Sequence, residues 1–223
     1  MHKRELAKMI DHTLLGPTAL MEGVGRVCAE AKKHGFASVC INPCYVTLAH
    51  ELLQGTGVRV CTVIGFPHGM NETAVKAFEA EHAIADGAEE LDMVINIAAL
   101  KTGDYERAAK DIKAVCAARD KAPPGVLIKV ILETALLGPE KKVAGAILAK
   151  ASGADFVKTS TGFGPGGATV EDVALLRRTV GEQFGVKAAG GIRDYDAALA
   201  MIEAGATRIG ASHSIDIIEG VPE

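Results

Sequence analysis

The chain has 223 residues, a formal net charge of -4 and 48% hydrophobic residues, so it fits one large domain or two small ones with a sizeable core. Charges of both signs are interspersed with no basic block, which argues against nucleic acid or an anionic membrane surface as the main partner. Aromatics are only 4% and tryptophan is absent, leaving few platforms on which bases could stack.

Strand-like and helix-like segments alternate along the whole chain. Ile10 to Leu15 is a short extended candidate, followed by a helix pattern over about Ala19 to Lys33 that stops at His34-Gly35. Ala37 to Asn42 reads as the second strand, and Pro43 opens a helix to Leu53. The third strand runs from Val58 to Ile64 and is closed by Gly65-Phe66-Pro67-His68-Gly69. A helix from Asn71 reaches Asp86-Gly87. Leu91 to Asn96 is the fourth strand, with a helix over about Tyr105 to Arg119. Pro123-Pro124-Gly125 is a turn, since the pattern resumes with a strand from Val126 to Glu133 and a helix over Pro139 to Ser152. Asp155 to Lys158 is the sixth strand, and it breaks into the loop Thr159-Ser160-Thr161-Gly162-Phe163-Gly164. Val170 to Val180 is helical, Val186 to Ala189 extended, Asp194 to Ala204 helical and Thr207 to Gly210 extended. Ser214 to Glu219 makes a short closing helix.

Strands alternating with helices imply parallel pairing through right-handed crossovers. Eight such units with no shift in composition predict one domain over residues 1–223, a closed (β/α)8 TIM barrel. A doubly wound open sheet is the competitor, but it wants a GxGxxG turn after an early strand and none is present. Seven scattered histidines with no HxH or HExxH leave a zinc site unsupported, and neither cofactor nor metal is expected. Five cysteines with no CxxC pair read as free thiols in a reducing cytoplasm. No apolar run approaches the roughly 18 residues of a membrane span, and Met1 to Glu5 leads into no signal-peptide core.

Alternation along each strand turns one parity toward the barrel axis. Leu91, Met93, Ile128, Val130, Val157 and Val186 belong on the outside. Asp92, Lys129, Lys158 and Lys187 then point inward from four consecutive strands, with Cys40 on the inward parity of strand two. Three lysines around a single carboxylate leave surplus positive charge, which favours one neutral amine. Lys129 is deepest and is expected to pair with Asp92. Lys158 ends its strand beside hydroxyls and glycines, where a neutral amine could attack a carbonyl. The bland alternative is a lysine reaching from a strand end into water. Gly190-Gly191 follows strand seven and Gly210-Ala211-Ser212 follows strand eight, where barrels frequently bind phosphate; each pair could also be a tight turn.

These stretches carry a resemblance. Asp11-His12-Thr13-Leu14-Leu15, Ser38 to Pro43, Val63 to Pro67, Leu91 to Asn96, Lys129 to Thr134, Asp155 to Phe163 and Lys187 to Arg193 together are similar, in order, to the deoxyribose-phosphate aldolase family. The resemblance implies reversible cleavage of 2-deoxy-D-ribose 5-phosphate to acetaldehyde and D-glyceraldehyde 3-phosphate, with the break assigned to the C3–C4 bond of the open chain. It implies Lys158 as the Schiff-base lysine, Lys187 as the second active-site lysine and Asp92 as the proton relay. Asp11 would be a second acid of the site and Cys40 a thiol lining it. The phosphate would meet the backbone of Gly162, Gly190, Gly191, Gly210 and Ser212. Two positions depart from the family's pattern at the phosphate end: Ala189 stands where a serine is common, and His213 where a small residue is. No C-terminal tyrosine is present.

The rivals are an acid–base isomerase or synthase on a phosphate-binding barrel, a non-catalytic sugar-phosphate binder and a metal-dependent aldolase. A homo-oligomer, dimer or tetramer, is the expected assembly.

Overall fold

In the computed structural model, the apolar segments become eight short parallel strands: β1 (Ile10–Leu14), β2 (Ser38–Ile41), β3 (Arg59–Ile64), β4 (Glu90–Val94), β5 (Leu127–Ile131), β6 (Phe156–Lys158), β7 (Gly185–Ala189) and β8 (Arg208–Ala211). They pair in sequence order, and β8 returns to β1 to close the barrel. The structure describes residues 1–122 and 124–222; Pro123 of the expected Pro-Pro-Gly turn and the terminal Glu223 lie outside the described residues.

The helices are α1 (Lys3–Ala7), α2 (Met21–His34), α3 (Val46–Leu53), α4 (Thr73–Ala85), α5 (Ile97–Thr102), α6 (Tyr105–Asp120), α7 (Pro139–Ala151), α8 (Val170–Val180), α9 (Tyr195–Glu203) and α10 (Ser214–Glu219). One of these, α5, has no counterpart in the sequence reading, and it changes the end of strand four. Asn96 does not extend the strand; its side-chain oxygen accepts the Ala99 N–H at 3.0 Å and caps α5. Gly103, in the left-handed region at φ 83°, ends the same helix. The helix expected from Pro43 also divides, into a 3₁₀ turn over Pro43–Tyr45 and then α3.

The parity argument holds on the outer face. Leu91, Met93, Ile128, Val130, Val157, Val186 and Ala188 are all fully buried between strands and helices. Parallel strands covered on one side by helices and filled on the other lose apolar surface on both faces. Each large side chain so buried contributes about 1.5–3 kcal/mol.

A buried ion pair outside the barrel fixes the loop after β3. Lys76 of α4 donates to Asp111 Oδ2 of α6 at 2.7 Å, and also to the carbonyls of Gly69 at 2.8 Å and Val94 at 3.1 Å. Among the described residues, no helix is long and apolar enough to cross a membrane.

Candidate active site

Strand register assembles the site before any side-chain contact is considered. Asp92 pairs with Lys129 across β4 and β5, and Lys158 with Lys187 across β6 and β7. Lys187 pairs in turn with Arg208 of β8, and Asp11 of β1 with both Gly210 and Ser38. Since Lys158 is level with Ile131, Lys129 lies two residues deeper on its strand, as the sequence predicts.

Asp92 is the hub. Its Oδ2 accepts from Lys158 at 2.7 Å and from Lys187 at 2.7 Å, and its Oδ1 from Lys129 at 2.8 Å and the Cys61 thiol at 3.3 Å. Lys187 also donates to Asp11 Oδ2 at 2.5 Å. Lys129 reaches Glu90 Oε2 at 2.6 Å, and Arg208 spans Asp11 Oδ1 at 2.6 Å and Glu90 Oε2 at 2.9 Å. Ser38 donates its hydroxyl to Asp11 Oδ1 at 2.7 Å.

The expected charge balance is therefore corrected. Asp92 is not the single buried carboxylate: Asp11 and Glu90 are equally buried, and Arg208 joins the three lysines. Four cationic groups face three carboxylates, a surplus of one positive charge. Glu90 and Arg208 were legible, for they share the inward parity of Asp92 and Gly210; starting strand four at Leu91 removed Glu90 from view. Burial alone would raise the Asp92 carboxyl, but Lys129, Lys158 and Lys187 outweigh it and hold the group well below the usual range. Asp11 is lowered likewise, burial being overcome by Lys187, Lys129 and Arg208. Burial would lower Lys187, yet Asp11 and Asp92 raise it. Lys129 is raised against burial by Asp92, then Cys61 and Glu90. Both lysines are fixed cations.

Above this cluster a cavity of about 350 Å³ opens at the C-terminal ends of the strands. Lys158, Gly162, Gly190, Gly191, Gly210 and Ser212 line it together. Asp11, Asp92, Lys129 and Lys187 are beneath it and fully buried. Cys40 departs from the expectation of a lining thiol: it is fully buried, packed with Leu15, Cys61 and Val63. Wall residues the sequence reading passed over include Thr161, Phe163 and Arg193.

Backbone conformation explains the glycines. Gly162, Gly190 and Gly191 have φ of 86°, 88° and 81°, the left-handed region that side chains disfavour. The loops after β6 and β7 touch backbone to backbone, since Ala168 N–H donates to the Gly190 carbonyl at 3.0 Å. A Cβ on Gly167 would lie 2.1 Å from that same oxygen. Ala189, which lacks the serine hydroxyl, is tied instead through its N–H to Thr159 Oγ1 at 3.1 Å. His213 lines the cavity and places Nδ1 2.9 Å from Asp216 Oδ2.

Among the described residues, two buried trios have the spacing to ligate a metal, Cys40–Cys61–Asp92 and Asp11–Cys61–Glu90. Lys129 answers both: its ammonium sits 3.3 Å from Cys61 Sγ, 2.8 Å from Asp92 and 2.6 Å from Glu90, supplying the positive charge itself.

Known proteins resemble this chain in sequence and in fold. The chain is 60% identical over 220 residues to a deoxyribose-phosphate aldolase of Clostridium perfringens, covering 99% of this chain and 97% of that one. It is 58% identical over 214 residues to one of Caldanaerobacter subterraneus, covering 96% and 92%. A tetrameric deoxyribose phosphate aldolase structure from Aeropyrum pernix superposes with a TM-score of 0.90 at 34% identity, covering 98% of this chain and 91% of that one. The sequence profile of the DeoC/LacD family aldolases matches residues 5–220. With the match spanning nearly every strand and helix of the barrel, the chain belongs to the DeoC/LacD family of aldolases.

Proposed function

We propose that this protein is a class I deoxyribose-phosphate aldolase that cleaves 2-deoxy-D-ribose 5-phosphate reversibly through a Schiff base on Lys158. The observation that carries the reading is the placement of Lys158. Its amine shares the hub carboxylate with two lysines, and it alone of the three also lines the cavity. Lys129 and Lys187 each meet more than one carboxylate, whereas Lys158 meets one. Losing a proton from Lys158 thus breaks the fewest ion pairs and removes the surplus charge.

The neutral amine attacks C1 of the open-chain sugar to give a carbinolamine, which loses water to form an iminium. The C3 hydroxyl gives up its proton, the C2–C3 electrons flow into the iminium, and the products are glyceraldehyde 3-phosphate and an enamine. The bond is C2–C3 and not C3–C4, because acetaldehyde carries away C1 and C2. Protonation of the enamine at C2 and hydrolysis then release acetaldehyde and free Lys158.

Asp92 and a water carry these protons. A carboxylate facing three ammonium groups is a poor base, but neutralising Lys158 removes one of them and strengthens its hold on a proton. Lys187, kept charged by Asp11 and Asp92, acts as a fixed cation beside the amine. The phosphate takes the end lined by Gly162, Gly190, Gly191, Gly210 and Ser212, with Arg193 at the rim. Lys129, Asp11 and Cys40 support the floor without lining the cavity.

Turnover of deoxyribose 5-phosphate in the presence of chelator tests the reading. Full activity, with an adduct trapped by borohydride, is the expected result. Loss restored by a divalent metal points to a metal-dependent aldolase, turnover without an adduct to acid–base chemistry, and binding without turnover to a carrier. Ser212→Asp should raise KM for the phosphorylated sugar roughly tenfold or more and leave unphosphorylated deoxyribose little affected, because facing like charges cost a few kcal/mol. Gly190→Asp should act in the same direction with added backbone strain at φ 88°. Equal effects on both substrates would move the phosphate elsewhere.

The same reading treats residues 1–223 as one aldolase domain working in the cytoplasm, with five free cysteines in support. A homo-oligomer is proposed on the precedent of the tetrameric Aeropyrum pernix relative, and light scattering of the purified protein checks it.

A further inference from the structure

Glu133 follows β5 and is the one non-glycine residue with positive φ among the described residues, at φ 58° and ψ 64°. A left-handed glutamate is disfavoured, and such residues persist where surrounding structure holds them. Its neighbours provide that hold. Leu132 N–H donates to the Lys158 carbonyl at 3.0 Å and Thr134 N–H to the Thr159 carbonyl at 2.9 Å, so Glu133 is clamped between two bonds to the lysine-bearing segment.

The side chain is only 2% exposed and turns toward the loop after β6. Its carboxylate accepts the Thr161 N–H at 3.3 Å and the Thr161 hydroxyl in a short hydrogen bond. With its proton committed to Glu133, the Thr161 oxygen accepts the Phe163 N–H at 3.0 Å. Gly164 then passes directly over the carboxylate, where a Cβ would come within 2.7 Å of Glu133 Cδ. One buried anion therefore organises Thr161 through Gly164, and Thr161, Gly162 and Phe163 form one wall of the cavity.

We propose that Glu133 is a positioning residue, whose buried carboxylate sets the loop after β6 so that the Gly162 backbone meets the substrate's phosphate. The proposal rests on the aldolase reading above. Glu133 acts through Thr161 and leaves the amine of Lys158 to its own partner, Asp92.

The test compares Glu133→Gln, Thr161→Val and Thr161→Ser with the parent enzyme. Glutamine keeps length and shape but weakens the charge-assisted bonds; valine removes the hydroxyl; serine retains it. Glu133→Gln and Thr161→Val should each raise KM for deoxyribose 5-phosphate about tenfold, the size of one weakened charge-assisted hydrogen bond. Their effects should not add in the double variant, and Thr161→Ser should keep the parent KM. In Glu133→Gln, unphosphorylated deoxyribose and borohydride trapping of acetaldehyde should be little changed. Equal losses on both sugars, additive effects, or an unchanged KM in Glu133→Gln would each overturn the proposal. Should Glu133→Gln fail to fold, Thr161→Val against Thr161→Ser decides alone. A parent enzyme that neither traps acetaldehyde nor turns over the phosphorylated sugar would instead remove the aldolase reading, a result distinguishable from failure of the Glu133 role.

Discussion

Lys158→Ala is expected to abolish borohydride labelling by acetaldehyde and to lower turnover roughly 10⁴-fold or more, the scale seen when a covalent nucleophile working within a unit is removed. Mass spectrometry of the labelled parent should place the adduct on the peptide containing Lys158. Lys187 is the alternative nucleophile one strand away, but it is fully buried and held charged between Asp11 and Asp92. In Lys187→Leu, slow labelling should persist at Lys158, with its pH dependence moved to the alkaline side because one neighbouring cation is gone. An adduct on Lys187 in the unmodified protein would reverse the assignment. An unshifted profile in Lys187→Leu would leave the nucleophile in place and eliminate repulsion from Lys187 as its activator.

Asp92→Asn should be the most damaging change beneath the cavity, because three ammonium groups share this carboxylate. Loss of the proton relay should cost about 10²–10⁴ in turnover. Leaving buried cations short of an anion should lower stability at pH 7 by about 3–5 kcal/mol. The acid dependence follows from the lowered Asp92 carboxyl. Its stabilising contribution is complete above the unfolded value near 4 and is lost as pH falls below it, at about 1.4 kcal/mol per unit. Urea unfolding of both proteins between pH 5 and pH 3 should show the gap narrowing as the acid is approached. A gap that widens over that range would contradict the charge network described here.

The barrel, its strand order and the meeting of Asp92, Lys129, Lys158 and Lys187 were legible in the sequence because they depend on two periodicities alone. Alternation along a strand fixes which side chains enter the barrel, and the βαβ crossover fixes which strands are neighbours. Side-chain reach does not follow from either rule. Arg208 and Asp11 meet across strands whose residues are distant in the chain, and the thiol of Cys40 lies below the wall although its parity is inward. Glu133 shows the same limit in the backbone. Read as the end of strand five, it should extend the ladder, yet it turns left-handed where the chain leaves the sheet. Nothing in the residue type announces that turn, since glutamate disfavours it; tertiary contacts impose it. The α5 helix was missed for a different reason: six residues capped by Asn96 are too few to display a period.

The loops after β6 and β7 join backbone to backbone at Ala168 and Gly190, whereas Lys158 is carried by a strand. On the aldolase reading, the nucleophile and the phosphate contacts are thus mounted on separate parts, a strand and two joined loops. A library diversifying the exposed Phe163 and Arg193, with the glycines of both loops kept, should yield folded aldolases with altered acceptor preference, while one diversifying the inward strand positions should mostly yield chains that never fold. For this protein, a search for new substrates belongs on the rim.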